Sequence, residues 1–305
     1  MPTTAGRPST ACWPPWMAER MSERTLFLTD LDGTLLRADA TLDPDTARRI
    51  NALTEQGVMI SYATARTIES VRHILADIRF TEASPPISLM NGVFIRDMAR
   101  GEYLDCAAFS SDAAEQILAG LTNRSLHPFV YAVDEAGALM TYYREIPNSA
   151  MQAFMDERVT RYQKPFRRFT DLSEIDGTIV YYCLIAPMQD VSRAVRMLED
   201  RLRYLEVPDV RFTAYRDHYD ESVWYLEIFD RRASKQHAVD YLRRYTHADK
   251  VICFGDNLND LPMFEASDHR VAVRDAHPKL IEAADEIASD GVAAWIEAYL
   301  SHNNH

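Results

Sequence analysis

The sequence has few cysteines and no long apolar run. Its four cysteines, Cys12, Cys106, Cys183 and Cys253, are far apart and form no C-x-x-C pair, which argues against a zinc site or a disulfide framework. No run approaches the roughly 18 apolar residues of a membrane span. The opening segment, 1–23, has no continuous apolar core typical of a signal peptide. We therefore expect a cytoplasmic protein without a membrane partner, and a disordered, Pro/Ser/Thr-rich segment 1–23.

Positive charge is also scarce. The chain has 33 Lys and Arg residues against 46 Asp and Glu residues, a formal net charge of -13. Binding to nucleic acid needs a basic face that neutralises phosphates, so we expect no nucleic-acid partner. The length of 305 residues allows one large domain or two moderate ones.

Strand and helix patterns alternate in the first third of the chain. An apolar strand, 25–29, ends at the turn sequence DGT, and a helix follows with Asp43 as its N-cap and Pro44 at its first position. A second strand at 58–64, a helix, and a third strand in PISLMNG complete the order βαβαβ. This order predicts a parallel sheet with right-handed crossovers.

The middle of the chain has a different pattern. Between 93 and 224, short strand candidates alternate with helices near 111–123, 147–162 and 189–204. The sequence WYLEIFD, a helix beginning at the Ser234 N-cap, and KVICFGDNLND then indicate that the α/β sheet resumes. We predict a discontinuous α/β core, 24–92 and 225–305, with a parallel sheet and an inserted α+β unit at 93–224.

Polar residues, several of them acidic, follow the predicted strands. Asp30 and Asp32 come after the first strand, Thr64 after the second and Asn91 after the third, while Asp256 and Asp260 follow a later one. Strand ends of a parallel α/β sheet share one crevice. Clustered carboxylates without His or Cys suit Mg²⁺ as the compensating cation. Lys235, at a helix start, offers a positive charge for a phosphate.

Four motifs together resemble the haloacid dehalogenase-like phosphatases. These are DLDGT at Asp30, Thr64-Ala65-Arg66, Lys235, and GDNLND from Gly255 to Asp260. The position of the insert resembles that of the Cof-type subfamily, whose cap is of class IIB. A Rossmann-like core with an inserted cap follows from this resemblance, over about residues 24 to 300.

The resemblance also implies roles for individual residues. Asp30 would be the nucleophile that forms an aspartyl-phosphate, and Asp32 the general acid and base. Mg²⁺ would be held by the site residues Asp30, Asp32 (through its backbone carbonyl), Asp256 and Asp260, the last from close by. The phosphoryl group would be held by Thr64, the Leu31 and Ala65 amides, Lys235 and Asn259. Arg66 would contact the substrate or the cap.

Three functions remain open at this point. The first is a Mg²⁺-dependent phosphatase of small phosphorylated metabolites, such as sugar phosphates, acting as a monomer or small homo-oligomer. The second is a sugar phosphomutase on the same fold, and the third a receiver-like module phosphorylated on Asp30. Asp32 argues against the third, because a lasting aspartyl-phosphate gains nothing from an acid/base beside it. Arg274-Asp275 stands where the family often has Gly-Asn, which affects specificity more than catalysis.

The insert is expected to act as a lid that reads the leaving group. Both of its connections enter near the crevice, and the assigned phosphoryl chemistry lies in the core. We expect its reading surface around Tyr142 to Arg144 and around Arg216 to Tyr219.

Overall fold

A computed structural model describes residues 24–207, 210–217 and 220–303. The predicted disordered segment, 1–23, lies outside the described residues. Among the described helices, none combines the length and apolar character needed to cross a membrane.

The described residues form three sheets, with helices between their strands in the chain. The strands are β1 (Thr25–Thr29), β2 (Met59–Tyr62), β3 (Ile87–Leu89), β4 (Phe94–Asp97), β5 (Glu102–Cys106), β6 (Phe129–Val133), β7 (Leu139–Tyr143), β8 (Phe166–Arg168), β9 (Thr178–Pro187), β10 (Val210–Arg216), β11 (Val223–Asp230), β12 (Lys250–Gly255), β13 (His269–Val273) and β14 (Glu286–Ala288). The α-helices are α1 (Pro44–Glu55), α2 (Ile68–Ile74), α3 (Ser111–Thr122), α4 (Ser149–Tyr162), α5 (Met188–Tyr204), α6 (Lys235–Thr246), α7 (Leu261–Ala266), α8 (Pro278–Ala283) and α9 (Val292–Asn303).

The first sheet is parallel, in the strand order β14-β13-β12-β1-β2. All five residues of β1 are buried, because Phe27 packs into one apolar cluster and Leu26 and Leu28 into another. Burial on both faces explains why this strand reads as a continuous apolar run. The predicted α/β fold with a parallel sheet is confirmed.

The third predicted strand differs from the prediction. β3 joins β2 only through an isolated parallel bridge between Ala63 and Ser88, and it pairs antiparallel with β4. Ile95 of β4 nevertheless packs with the apolar cluster of the parallel sheet. The small sheet β3-β4-β5 therefore packs against the core.

The third sheet has the order β10-β11-β9-β6-β7-β8 and is antiparallel except between β7 and β8. Helices α3 and α5 cover one face, where the Tyr182 hydroxyl donates to the Ala114 carbonyl at 2.7 Å. The opposite face carries Tyr131, Cys183 and Glu227, which line a cavity above the core.

Both boundaries predicted for the insert fall within sheets of the structure. The limit at 224/225 falls inside β11, and WYLEIFD, which the sequence suggested as a return to the core, pairs antiparallel with β9 and β10. The limit at 92/93 separates β3 from β4, which pair with each other. We propose that the cap comprises residues 107–230 and that the rest of the described chain forms the core.

Candidate active site

Lys235 is the centre of a buried ionic cluster. It is the first residue of α6, and its Nζ lies 2.5 Å from Asp30 Oδ1 and 2.5 Å from Asp260 Oδ1. The Lys235 side chain is 1% exposed, and those of the two aspartates are 6% and 0% exposed. Burial alone would lower the pKa of this lysine, but the nearby carboxylates of Asp30 and Asp260 raise it above its ordinary value.

The carboxylate of Asp260 also fixes the loop that follows β12. Its Oδ2 accepts hydrogen bonds from the backbone amides of Asp256, at 3.0 Å, and Asn257, at 3.1 Å. The other oxygen, Oδ1, accepts a hydrogen bond from Lys235 Nζ, so both carboxylate oxygens of Asp260 are hydrogen-bonded. The loop therefore presents Asp256 at the end of its strand, next to Asp30.

One carboxylate oxygen from each of Asp30, Asp256 and Asp260 lies within 4.8 Å of the other two. Burial raises the pKa of Asp30 to about 8, although Lys235 opposes the shift. Burial, followed by the charge of Asp260, raises the pKa of Asp256 to about 6. Three carboxylates and one ammonium leave an excess of negative charge, and an all-oxygen donor set suits a hard divalent cation. The cluster fits the magnesium predicted from the sequence.

Gly33 of DLDGT lets the backbone of this loop lie close to the Asp256 carboxylate. Its φ is +75°, and a Cβ there would lie 2.2 Å from Asp256 Oδ2. Thr34, the next residue, donates its hydroxyl to Asp256 Oδ1 at 3.2 Å. Any side chain at position 33 would therefore displace the carboxylate.

Asp32 lies at the mouth of the site, with its side chain 49% exposed. Arg66 binds it through two hydrogen bonds, from Nε to Oδ2 at 2.7 Å and from Nη2 to Oδ1 at 2.5 Å. The Nη1 atom of Arg66 contacts the Tyr162 hydroxyl of α4 at 3.3 Å. Arg66 therefore joins Asp32 to the cap.

The other predicted site residues fall into two groups. Ala65 and Asn259 line the cavity together with Asp30, Asp32, Arg66 and Asp256. Leu31 and Thr64 are fully buried, and Thr64 Oγ1 accepts from the amide of Arg66 at 3.1 Å. Asn91 turns the chain with φ 56° and donates its side-chain amide to Glu227 at 3.3 Å.

A cavity of about 750 Å³ lies between the core strand ends and the cap. This volume is typical of a site for a small organic ligand and leaves room beside a phosphoryl group. The cap contributes α4 and the helix-free face of its sheet to the wall. The cap residues of the wall are Tyr131, Phe154, Glu157, Arg158, Arg161, Tyr162, Lys164, Tyr181, Cys183, Tyr215 and Glu227.

The reading surface expected near Tyr142 to Arg144 is not among these residues. Tyr142 is 1% exposed in the cap core, and the Arg144 side chain binds the Thr170 carbonyl. Arg216, in the second expected region, pairs with Glu221 at 2.5 Å, and Tyr219 lies outside the described residues. Tyr215, one position earlier, does line the cavity because side chains alternate along a strand.

Gly92 provides a test of how Lys235 is positioned. Its φ is +94°, and a Cβ there would lie 2.3 Å from the carbonyl oxygen of Ser234, the N-cap of α6. We expect Gly92→Ala to destabilise the protein by about 2 to 4 kcal/mol more than a control with left-handed strain alone. It should also reduce activity, because Ser234 precedes Lys235. Urea unfolding and phosphate release would measure the two effects.

Gly291→Ala is the matched control for this change. Gly291 has a similar φ, +86°, but nothing lies within 4 Å of an added Cβ. Equal losses in the two variants would show that crowding against Ser234 is unimportant.

Known proteins share both the sequence pattern and the fold. The sequence model of the haloacid dehalogenase-like hydrolases matches residues 27–296. The chain belongs to this family. The HMP-PP phosphatase of Serratia proteamaculans is 26% identical over 255 residues, which are 82% of this chain and 84% of that protein.

Solved structures show the same fold at lower identity. A haloacid dehalogenase-like hydrolase from Bacteroides thetaiotaomicron matches with a TM-score of 0.73 and 19% identity, over 91% of this chain and 100% of that one. A sugar phosphatase described as subclass IIB matches with a TM-score of 0.64 and 16% identity, over 90% and 98%. The predicted resemblance to the haloacid dehalogenase-like family is confirmed, and these structures share the fold of this chain.

Two parts of this haloacid dehalogenase-like site were missed from the sequence. The loop Arg37 to Ala40 lines the cavity, and Arg161 of α4 donates to the Asp39 carbonyl at 3.4 Å. A positive φ at Ala40 has no strong sequence signal. Glu227 and Lys164 were also missed. A charged residue inside the apolar stretch WYLEIF was a usable signal for Glu227, whereas Lys164, between a helix and a strand, gave none.

Proposed function

We propose that this protein is a Mg²⁺-dependent phosphatase of small phosphorylated metabolites, sugar phosphates among them, and that it acts through an aspartyl-phosphate on Asp30. The main support is the position of Asp30 within the Asp256–Asp260–Lys235 cluster, at the base of a metabolite-sized cavity. The family and the phosphatase names of its relatives agree with this proposal.

In the first step, a carboxylate oxygen of Asp30 attacks phosphorus while the bond from phosphorus to the leaving oxygen breaks. Asp32 donates its proton to that oxygen, and an alcohol leaves. In the second step, Asp32 takes a proton from water, whose oxygen attacks phosphorus. The bond between phosphorus and Asp30 breaks, and phosphate is released.

The remaining polar groups would bind and orient the phosphoryl group. Asn259 and the amide of Ala65 border the cavity, where they would meet the outer oxygens, on which negative charge is concentrated. Lys235 holds the Asp30 carboxylate in a fixed position. Arg66 keeps Asp32 at the mouth of the site, in contact with the cap.

Mg²⁺ would be held by Asp30, Asp256 and the backbone carbonyl of Asp32, with Asp260 supporting the site from behind. When bound, it would neutralise charge on the phosphoryl oxygens. Because burial without a cation raises the pKa of Asp30 and Asp256, a cation would also keep Asp30 ionised as the nucleophile.

The test is phosphate release from a panel of phosphate esters with Mg²⁺, with Ca²⁺, and with chelator. We expect turnover with Mg²⁺, loss of at least about 100-fold in chelator, and poor replacement by Ca²⁺, which is larger and less strict in its geometry. Full turnover in chelator would contradict the metal requirement. A phosphomutase would instead isomerise a sugar phosphate and need a sugar bisphosphate as activator. The panel therefore includes a sugar phosphate and a sugar bisphosphate.

A further inference from the structure

Lys164 projects into the cavity from a rigid segment just beyond α4. Gln163, with φ 53°, ends the helix, and its amide donates to the Val159 carbonyl at 3.0 Å, while the amide of Lys164 donates to the Arg158 carbonyl at 3.1 Å. These bonds form a helix-ending turn that leaves little backbone freedom. Lys164 is 4% exposed and lines the cavity.

The ammonium group of Lys164 has no carboxylate partner. Within the described ranges 24–207, 210–217 and 220–303, no hydrogen bond or ion pair joins its Nζ to another residue. Its recorded contacts are with two aromatic rings, those of Tyr131 and Phe166, whose centroids lie 4.1 Å and 5.9 Å away. Lys235 is as deeply buried, yet it contacts two carboxylates. A lysine left unpaired in such a place is costly unless a ligand completes the site.

Burial lowers the pKa of Lys164 to about 7. Glu69 of α2 attracts the charge, but no ion pair forms between them within 4 Å, and Arg158 repels it. Burial is therefore the cause of the lowered pKa, and the attraction of Glu69 outweighs the repulsion of Arg158. An anion would bind the Lys164 ammonium group more strongly than a neutral hydroxyl would.

The other basic side chains of the described cavity wall already have carboxylate partners. The arginines pair with carboxylates: Arg37 with Asp43, Arg66 with Asp32, Arg158 with Glu157, and Arg161 with Glu157. Glu227 accepts hydrogen bonds from Tyr215, at 2.9 Å, and from Asn91, at 3.3 Å, and burial raises its pKa. The negative charge of Glu227 is thus disfavoured, and among the described basic residues of the wall Lys164 is the one without an ion pair.

We propose that Lys164 binds a second anionic group, a carboxylate or a phosphate, on the leaving part of the substrate. This inference rests on the proposed phosphatase function and narrows it to metabolites with a negative charge at both ends. Asp30 and Lys164 line the same cavity, so one molecule would have its phosphoryl group at the core and its second anion at the cap.

Matched substrate pairs test the proposal. In the first pair, 6-phosphogluconate and sorbitol 6-phosphate differ in one carboxylate; in the second, fructose 1,6-bisphosphate and fructose 6-phosphate differ in one phosphate. We expect kcat/KM to be at least about tenfold higher for the doubly charged member of one pair or both, mainly through KM. The pair that responds identifies the anion, and equal values within both pairs would overturn the proposal.

Variants then assign the preference to Lys164. Lys164→Met removes the charge while keeping an apolar stem, and it should abolish the preference while p-nitrophenyl phosphate turnover stays within about threefold. Lys164→Arg should restore part of the preference. Lys279→Met, at an exposed position of α8, is the control. A uniform loss on all substrates in Lys164→Met, with no rescue by arginine, would indicate a purely structural role and contradict the proposal.

A binding measurement separates this inference from the phosphatase proposal. Calorimetry with the phosphate-free compounds gluconate and sorbitol needs no turnover. Gluconate should bind the wild type at least about tenfold more tightly than sorbitol, and this difference should vanish in Lys164→Met. If no ester were hydrolysed but gluconate bound selectively, the phosphatase proposal would fail and the anion site would stand. Hydrolysis without any selectivity for anions would give the reverse result.

Discussion

Asp30→Asn is expected to reduce phosphate release by roughly 10⁴-fold or more, because a neutral amide is too weak a nucleophile to attack phosphorus. The protein should remain folded. Burial raises the pKa of Asp30 to about 8, so its carboxylate destabilises the fold above the ordinary pKa of an aspartate, and the isosteric amide removes that cost. Steady-state assays and thermal unfolding at pH 7.5 would measure both effects. Near-normal turnover in a folded Asp30→Asn variant would refute the nucleophile assignment.

Asp200→Asn is the control for this substitution, because the Asp200 side chain is 80% exposed on the cap surface, and its rate should be unchanged. Acid quenching with phosphate-labelled substrate adds a direct readout. Label should be found on Asp30 in the wild type and be absent in Asp30→Asn. Asp32→Asn should release about one p-nitrophenol per enzyme in a burst, since this leaving group needs no acid, and then turn over slowly for want of a base.

The parts predicted well from the sequence are those determined by local chemistry. Asp43 and Ser234 were identified as N-caps, and their side chains accept from the amides of Thr46 and His237. β1 and β12 are apolar runs that stop at acidic turns, and their parallel pairing brings Asp30 beside Asp256. In a parallel α/β sheet the carboxyl ends of the strands share one crevice, so the residues at this crevice could be predicted from the sequence.

The cap wall could not be placed in this way, because it depends on which strands pair. Nothing local in WYLEIFD indicates that it lies beside β9 rather than β1. Tyr142 and Tyr143 are aromatic neighbours in sequence, yet the sheet buries the first and Arg167 lies near its ring. Lys164 looks like an ordinary surface lysine between a helix and a strand. Only the tertiary structure shows that it is buried without a partner.

Lys235→Met and Asp260→Asn are expected to be the most destabilising changes in the core. Lys235→Met leaves buried carboxylates without their compensating cation, which typically costs about 3 to 5 kcal/mol. Asp260→Asn leaves a buried hydrogen-bond donor without its acceptor, which typically costs about 1 to 3 kcal/mol. Lys235→Met would leave the carboxylates of Asp30 and Asp260 facing each other. The Asn side chain of Asp260→Asn has only one oxygen. It would therefore either point its NH₂ group at Lys235 or lose the hydrogen bonds from the backbone amides of Asp256 and Asn257. Both should also lower turnover by at least about 100-fold. Urea unfolding in chelator and phosphate release would measure these effects.

The double variant decides whether these residues act as one unit. If Lys235 and Asp260 are coupled, the double variant should be at least about 1 kcal/mol more stable than the sum of the single losses predicts. Lys279→Met with Asp200→Asn, two exposed positions, should show no coupling. Mg²⁺ provides the decisive contrast: it should stabilise Lys235→Met more than the wild type, because a bound cation would replace the missing positive charge among the carboxylates. Additive losses, with equal stabilisation of both proteins by Mg²⁺, would mean that Lys235 is not part of the charge balance of the metal site.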